Sequence, residues 1–590
     1  MNRTIRKRGP FRGGPRRCAA GQATSAIRLF TVLLTTMCLA APASANPERR
    51  SGWAKRGMVV CDSDVAARAG LGVLKAGGNA IDAAVATAFA LSVSFPWAAP
   101  LGGGGFAVVH LADGRDLTLD FRETAPAAAS RDMFLDVDGN VVPGMSLETL
   151  SGTGTPGTVD GLIRLAEDYG SKRIPRSALI TTAIKAASEG VLLDHDGAVR
   201  LNARRQQLQR DPDAAKIFCR ADSQLWSPGD RLQQGDLART LEQIALKGRA
   251  GFYEGEVAEA IARTMRAGGG LITTDDLAAY RSRYRDPVRG RFRGCDVVSI
   301  GPPSSGGVFV IQLLQMAESM HLEELAWGSV PQIHLLTEME RRAFADRALL
   351  LGDPDFVDVP VARLIDPSYA AARVSSISRV RATPSAEVKA GISGSDSGSR
   401  MDSGFRMDSG SRMESDPATD LPKGETTHIS VVDAEGNAVA MTVTLNDGFG
   451  CGRVAAGTGV LLNNEMDDFS AKPGAPNLFG LVGDEANAIA PGKRPLSSMS
   501  PVIVLREGRP VLVVGSPGGS RIITSVFQVI LDVLAYGMPV AEAVAVPREH
   551  SQWLPDVLYY EPHGMAPEVS AGLEQLGHTV EPFPLGAIGR

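Results

Sequence analysis

Glu425-Thr426-Thr427-His428-Ile429-Ser430-Val431-Val432-Asp433-Ala434-Glu435-Gly436-Asn437-Ala438-Val439-Ala440-Met441-Thr442-Val443-Thr444 is the stretch that decides the fold. Ile429 and Val431 alternate with His428 and Ser430 before Ala434-Glu435-Gly436, and Val439, Met441 and Val443 alternate with Ala440, Thr442 and Thr444 after it. A period of two is the pattern of a strand with one buried face. A three-residue loop with glycine in the left-handed position is a standard hairpin connection. That loop makes Asp433 face Asn437, so Val431 faces Val439 and Ile429 faces Met441. The same count sets Ser430 against Ala440, His428 against Thr442 and Thr426 against Thr444. A slip of one residue would mix the two faces, so the pattern specifies the register. Asn446 follows one step further on the face of Thr444.

Two readings of Thr426 stand side by side. Threonine is a good strand residue and Thr–Thr cross-strand pairs are common, which makes the pair structural. Alternatively Thr426 is a nucleophile freed by cutting the Glu425–Thr426 bond, because a free N-terminal threonine carries hydroxyl and base together. The chain before it favours access. Residues 393–424 contain three copies of one hexapeptide, Ser397 to Asp402, Ser403 to Asp408 and Ser409 to Glu414, rich in Gly, Ser and charge. Such a segment reads as a disordered linker.

Further out, residues 57–95 read as a strand, Met58 to Cys61, followed by Ala-rich helices suited to close helix–sheet contact. The run Gly102-Gly103-Gly104-Gly105 leads into Ala107-Val108-Val109. It could cradle a phosphate, but no P-loop lysine follows. A tight turn with close backbone approach is the favoured reading. Residues 160–380 alternate helix and loop, with a strand at Val297 to Ile300.

The 590 residues are 44% hydrophobic and 22% charged, an ordinary globular composition. Residues 1–45 read as a signal peptide: basic residues without acid, the apolar Leu29 to Ala41, then Ala43-Ser44-Ala45. An exported protein, periplasmic or secreted, is expected. Without the leader 53 basic residues face 66 acidic ones, a net charge of −13, which argues against nucleic acid as a partner. Cys61, Cys219, Cys295 and Cys451 show no Cys-x-x-Cys spacing and reveal no pairing, and there is no His-Glu-x-x-His. No metal and no cofactor is expected.

Several long motifs, in order, carry a family resemblance. Thr426 to Asp433, Leu462-Asn463-Asn464-Glu465-Met466-Asp467-Asp468-Phe469-Ser470, Lys493-Arg494-Pro495-Leu496-Ser497-Ser498-Met499-Ser500 and Gly515-Ser516-Pro517-Gly518-Gly519-Ser520-Arg521 resemble the γ-glutamyltransferases (γ-glutamyltranspeptidases). Asp120-Phe121-Arg122-Glu123, the glycine run and Pro302-Pro303-Ser304-Ser305-Gly306-Gly307 match as well. The resemblance implies an α/β (α+β) fold, the four-layer αββα sandwich of the N-terminal-nucleophile hydrolases. It implies self-cleavage at Glu425–Thr426 into a large subunit, 46–425, and a small one, 426–590, held as a heterodimer.

It also implies roles. Thr426 attacks the γ-glutamyl amide of glutathione or another γ-glutamyl compound, and water, an amino acid or a dipeptide then takes the acyl group. Thr444 holds the nucleophile in place. Gly518 and Gly519 supply oxyanion donors, where a missing Cβ leaves the N–H groups open. Arg122, Ser497 and Ser498 bind the donor's α-carboxylate, to which arginine offers a planar fork. Asn446, Glu465 and Asp468 bind its α-ammonium, and the three-residue spacing of the two acids puts them on one side of a helical turn.

The chain departs from the family in three places. Glu465 stands where some members have glutamine. Phe479 stands where some bacterial members carry a lid tyrosine, so no hydroxyl latches the lid to Asn446. The sequence ends at Ala587-Ile588-Gly589-Arg590, where members continue with another strand, so a bare sheet edge is expected. The alternatives are a related acylase that removes glutaryl-type side chains, whose substrate has no α-ammonium, and an uncut pseudoenzyme that binds γ-glutamyl compounds.

Overall fold

In the computed structural model, which describes residues 52–392 and 425–584, the hairpin forms in the register required by the apolar pattern. Thr444 lies opposite Thr426, Thr442 opposite His428 and Val439 opposite Val431. Gly436 closes the loop at φ 96°, and Asp433 N–H donates to the Asn437 carbonyl at 3.0 Å. The leader, the hexapeptide linker and the terminal Ala587 to Arg590 lie outside the described residues.

Ten strands build two sheets: β1 (Gly57–Val60), β2 (Gly104–His110), β3 (Asp116–Asp120), β4 (Arg283–Arg285), β5 (Val288–Phe292), β6 (Cys295–Ser299), β7 (Thr426–Asp433), β8 (Ala438–Thr444), β9 (Val502–Arg506) and β10 (Arg509–Val514). The first sheet has the order β1-β7-β8-β2-β3-β4, with the hairpin near its centre, and the second has the order β10-β9-β6-β5. β1 sits one residue N-terminal to the span read from the sequence, and β6 starts two residues earlier and ends one earlier, shifts at the ends of short elements.

The two faces of the hairpin go to different layers. Ile429, Val431, Val439, Met441 and Val443 pack outward against α1 (Asp64–Lys75), α2 (Ala80–Ser94) and α3 (Thr158–Tyr169). Ala438 and Ala440 face inward, in one cluster with Val502, Val504, Leu512 and Val514 of the second sheet. That cluster continues into α4 (Gly306–Ser319), α5 (Val330–Leu350) and α6 (Arg521–Leu534) beyond the second sheet. The layers are therefore αββα. Each buried apolar side chain contributes about 1.5–3 kcal/mol, so a one-residue slip would lose several such terms at once.

The same parity puts Thr426, His428 and Ser430 on the inner face. Ser430 Oγ donates to the Val513 carbonyl of the second sheet at 3.1 Å. The glycine run meets backbone. A Cβ on Gly102, Gly103 or Gly105 would lie 1.9, 2.0 and 2.2 Å from the carbonyl oxygens of Leu461, Thr444 and Thr442. Gly103 and Gly105 let the chain at β2 approach β8 closely, and Gly102 lets it approach Leu461. α2 begins with a capping box in which Asn79 Oδ1 accepts from Asp82 N–H at 2.9 Å and Asp82 accepts from Asn79 N–H at 3.1 Å. Cys61, Cys219, Cys295 and Cys451 are free thiols. Among the described residues no helix is long and apolar enough to cross a membrane.

Candidate active site

At the open end of the hairpin the buried Thr426 Oγ1 donates to Thr444 Oγ1 at 3.3 Å. Thr444 Oγ1 in turn donates to the Glu425 carbonyl oxygen at 2.7 Å and accepts from Asn446 N–H at 2.9 Å. A hydroxyl has one proton, so the Asn446 amide and the Glu425 carbonyl together set the direction of the relay. Glu425 N–H donates to the Asn446 carbonyl at 3.0 Å, which extends the ladder past the last strand pair. The Glu425 carboxylate is ion-paired with Arg200, itself held by Asp196 at 2.8 Å. Glu425, the residue before Thr426, is thus held at its carbonyl, its own N–H and its side chain.

The rest of the pocket comes from several loops. Arg122, just past β3, is fully buried and pairs through its two terminal nitrogens with Glu465 and Asp468. Its Nε donates to the Pro495 carbonyl at 3.2 Å. Glu465 and Asp468 lie on one turn of 3₁₀ helix, Glu465–Asp468, as their spacing implied. Glu123 lies 3.8 Å from Arg122, and both its carboxylate oxygens are buried without a hydrogen bond. Burial works to strip the Arg122 proton, but Glu465, Asp468 and Glu123 outweigh it and hold the guanidinium charged. Burial likewise pushes Glu465 well above the usual carboxylate range and raises Asp468, with Arg122 pulling both back. Burial drives Glu123 up to about 7. Three carboxylates, Glu465, Asp468 and Glu123, thus lie at short range from Arg122. Asn446, at φ 77°, donates from Nδ2 to the Asn464 carbonyl at 3.1 Å, while its Oδ1 is buried without a donor. An unsatisfied acceptor of this kind costs about 1–3 kcal/mol until a ligand supplies a proton.

Ser497 and Ser498 sit in a loop stapled to the Pro303 to Ser305 loop: Ser497 N–H donates to the Pro303 carbonyl at 2.8 Å and Ser305 Oγ to the Ser497 carbonyl at 2.7 Å. Gly518 and Gly519 have φ of 122° and 59°, and their carbonyls accept from Arg521 and Ile522 at the start of α6. Their N–H groups therefore belong to the positive end of a helix. Gly519 must be glycine for a second reason, because a Cβ would lie 2.2 Å from the Phe479 ring.

Thr426, Thr444, Asn446, Arg122, Glu465, Asp468, Ser497, Ser498, Gly519 and Phe479 line one cavity of about 20 Å³, room for a single water. Every substrate-binding residue expected from the sequence lines it. Gly518 stands one residue outside the lining, and Glu425 is reached through Thr444. Phe479 has no hydroxyl to offer Asn446, and its segment is held by other contacts. Asn477 Nδ2 donates to Asp468 Oδ1 at 3.0 Å, Leu478 N–H to Asp467 at 2.8 Å and Gln552 to the Phe479 carbonyl at 2.9 Å.

Arg200, Asn477 and Arg347 were not singled out from the sequence. Arg347 is buried in α5, with Nε on Ser305 Oγ at 3.0 Å and Nη2 on Ser498 Oγ at 3.2 Å. Elsewhere His334, Glu338 and His578 cluster closely enough to hold a cation. Glu338 is already neutralised by Arg341 and Arg342 at 2.8 and 2.9 Å, and Arg341 also reaches His578 at 3.4 Å, so the cluster is an ion-pair network.

Two sheets packed face to face between helical layers, with a buried threonine opening a central strand at their interface, define the N-terminal-nucleophile hydrolase fold. The chain belongs to the γ-glutamyltranspeptidase family, whose model, described as gamma-glutamyltranspeptidase, matches residues 66–589. It is similar to a glutathione hydrolase proenzyme of Pseudomonas sp. (strain A14), 45% identical over 524 residues that cover 89% of this chain and 86% of that one. Among solved structures it resembles the γ-glutamyltranspeptidase of Helicobacter pylori, 42% identical with a TM-score of 0.57, over 59% of this chain and all of that one. It also resembles a cephalosporin acylase from Bacillus halodurans, 26% identical with a TM-score of 0.76, over 92% and 91% of the two chains.

Proposed function

We propose that the chain is a self-processing γ-glutamyltransferase and glutathione hydrolase. The observation that carries this reading is the relay from Thr426 through Thr444 to the Glu425 carbonyl, at the edge of a pocket built for both ends of an amino acid. In the first reaction Thr426 Oγ1 attacks the Glu425 carbonyl carbon, the C–N bond breaks, and the nitrogen takes a proton to become the Thr426 amine. Thr444 orients the attacking oxygen and polarises the carbonyl under attack. Water then hydrolyses the ester, which separates 46–425 from 426–590.

The freed amine serves as base for the second reaction. Thr426 Oγ1 attacks the γ-carbonyl of the donor, the oxyanion forms against the Gly518 and Gly519 amides, and the leaving amine departs with the proton. Water or the amine of an amino acid or dipeptide releases the γ-glutamyl group from Thr426. Before this, the donor's α-ammonium displaces Arg122 from Glu465 and Asp468 and supplies a proton to Asn446 Oδ1, while its carboxylate meets Arg122, Ser497 and Ser498. The glutaryl-acylase reading is weaker, because a glutaryl donor brings no ammonium to the unpartnered Asn446 Oδ1 and Glu465 Oε2. Export through the residue 1–45 leader is part of the same proposal. The test is the release of anilide from a γ-glutamyl anilide by purified protein: the rate should track the fraction of chain cut before Thr426. A rate independent of cutting would contradict the proposal.

A further inference from the structure

Arg347 is the second buried guanidinium beside the pocket, and its contacts differ in kind from those of Arg122. Its hydrogen-bond partners are two hydroxyls, Ser305 Oγ at 3.0 Å and Ser498 Oγ at 3.2 Å. The charges acting on it are Asp468, which helps retain its proton, and Arg122, which repels it. An arginine has five donors and no acceptor. Ser498 Oγ must therefore accept from Arg347, and the Ser498 proton is left to point elsewhere, on a side chain that lines the cavity. Ser497 is set in the same sense, because its Oγ accepts from Met499 N–H at 3.0 Å.

The loop itself does not depend on Arg347. Ser304 Oγ donates to the Met499 carbonyl at 2.6 Å, Ser305 N–H to the Ser497 carbonyl at 2.9 Å, and Ser497 N–H to the Pro303 carbonyl. The backbone is stapled by its own serines, so the guanidinium is free to act on the direction and charge of the Ser498 hydroxyl. Arg122, by contrast, is committed to Glu465 and Asp468.

We infer that Arg347 is a positioning and specificity residue for donors that carry an α-carboxylate: it commits the Ser498 proton to the cavity and adds a second positive charge behind the serine pair. The inference rests on the proposed function and assigns Arg347 to the donor, not to the scissile bond.

The experiment compares γ-glutamyl anilide with 4-aminobutyryl anilide, the same donor without its carboxylate, on enzyme normalised to the cut fraction. Loss of a charge-assisted bond network predicts that Arg347→Met raises KM for γ-glutamyl anilide about 10- to 100-fold. The change in kcat should stay under about threefold, and the 4-aminobutyryl donor should be similarly spared. Arg347→Lys, which keeps the charge but not the fork, should recover part of the KM. In a Ser498→Ala background the Arg347→Met penalty should shrink to under about threefold. Equal losses on both donors, or an unchanged KM, would overturn the inference. So would Arg347→Met and Arg347→Lys chains that both fold yet stay uncut. A wild-type enzyme with no preference for the carboxylate donor overturns the proposed function and this inference with it. A wild-type preference that survives Arg347→Met overturns the inference alone.

Discussion

The Thr444 hydroxyl donates to the Glu425 carbonyl at 2.7 Å while accepting from Thr426, across a hairpin whose two ends are 18 residues apart in sequence. One side chain thus touches both the attacking atom and the carbonyl it attacks. Replacing Thr444 with alanine removes the donor on that carbonyl, and losing a donor at such a site costs about 10²–10³ in rate. Thr444→Ala should slow appearance of the two subunits on a denaturing gel by that order, while Thr444→Ser should stay within about tenfold of wild type. Equal rates for Thr444→Ala and wild type would remove Thr444 from the relay.

The ion pair of Glu425 with Arg200 belongs to the uncut chain. On the proposed cleavage Glu425 becomes the end of the large subunit and takes no part in turnover. Arg200→Ala should therefore slow self-cutting about tenfold, the worth of a charge-assisted pair, and leave kcat per cut enzyme within about twofold. A matching fall in both would mean that Arg200 supports the pocket as a whole.

Asp468 faces Arg122, Asn477 and the cavity. Asp468→Asn should raise KM for γ-glutamyl anilide by about 10- to 100-fold. The KM for glutaryl anilide, which lacks the α-amine, should change by less than about threefold. Comparable losses on both donors would refute an ammonium-binding role. Because breaking one member of a buried pair costs about 3–5 kcal/mol, the melting temperature of this variant should also fall.

Burial holds His550 down to about 3, between Thr524 Oγ1 at 2.9 Å and Gln552 Oε1 at 3.1 Å. The unfolded chain takes up this proton near its ordinary value of about 6.5, whereas the fold refuses it. Stability from this site is therefore present above pH 6.5 and is lost as pH falls toward 3, at up to about 1.4 kcal/mol per pH unit. Denaturant midpoints between pH 6.5 and 5 should fall less steeply for His550→Gln than for wild type, by the slope of one proton. Parallel slopes would show that His550 is protonated in the fold.

The hairpin was legible in the sequence because its apolar residues leave a single workable register, and that register alone brings Thr426 to Thr444. The turn that places Glu465 beside Asp468 was legible for the same local reason. The four-layer sandwich was not. It entered through resemblance, since no spacing tells β8 that β9 and β10 will cover its inner face. The pairing of Arg122 with Glu465 joins residues 343 apart and has no sequence signal. Arg347 was hidden differently. α5 carries Glu338, Glu340, Arg341, Arg342 and Asp346 besides Arg347, a pattern that reads as a solvated helix, yet all six are buried. Glu338 is matched inside the protein by Arg341 and Arg342 and Arg347 by two serine hydroxyls, so polarity gave no indication of exposure.

The central claim is that Thr426 becomes both the end of a new chain and the nucleophile. Mass spectrometry of purified protein after incubation tests it most directly, with γ-glutamyl anilide turnover measured on the same sample. Two polypeptides are expected, the smaller beginning at Thr426, while Thr426→Ala remains a single inactive chain. A wild-type protein that stays in one piece while turning over the donor, or an active Thr426→Ala, would contradict the account.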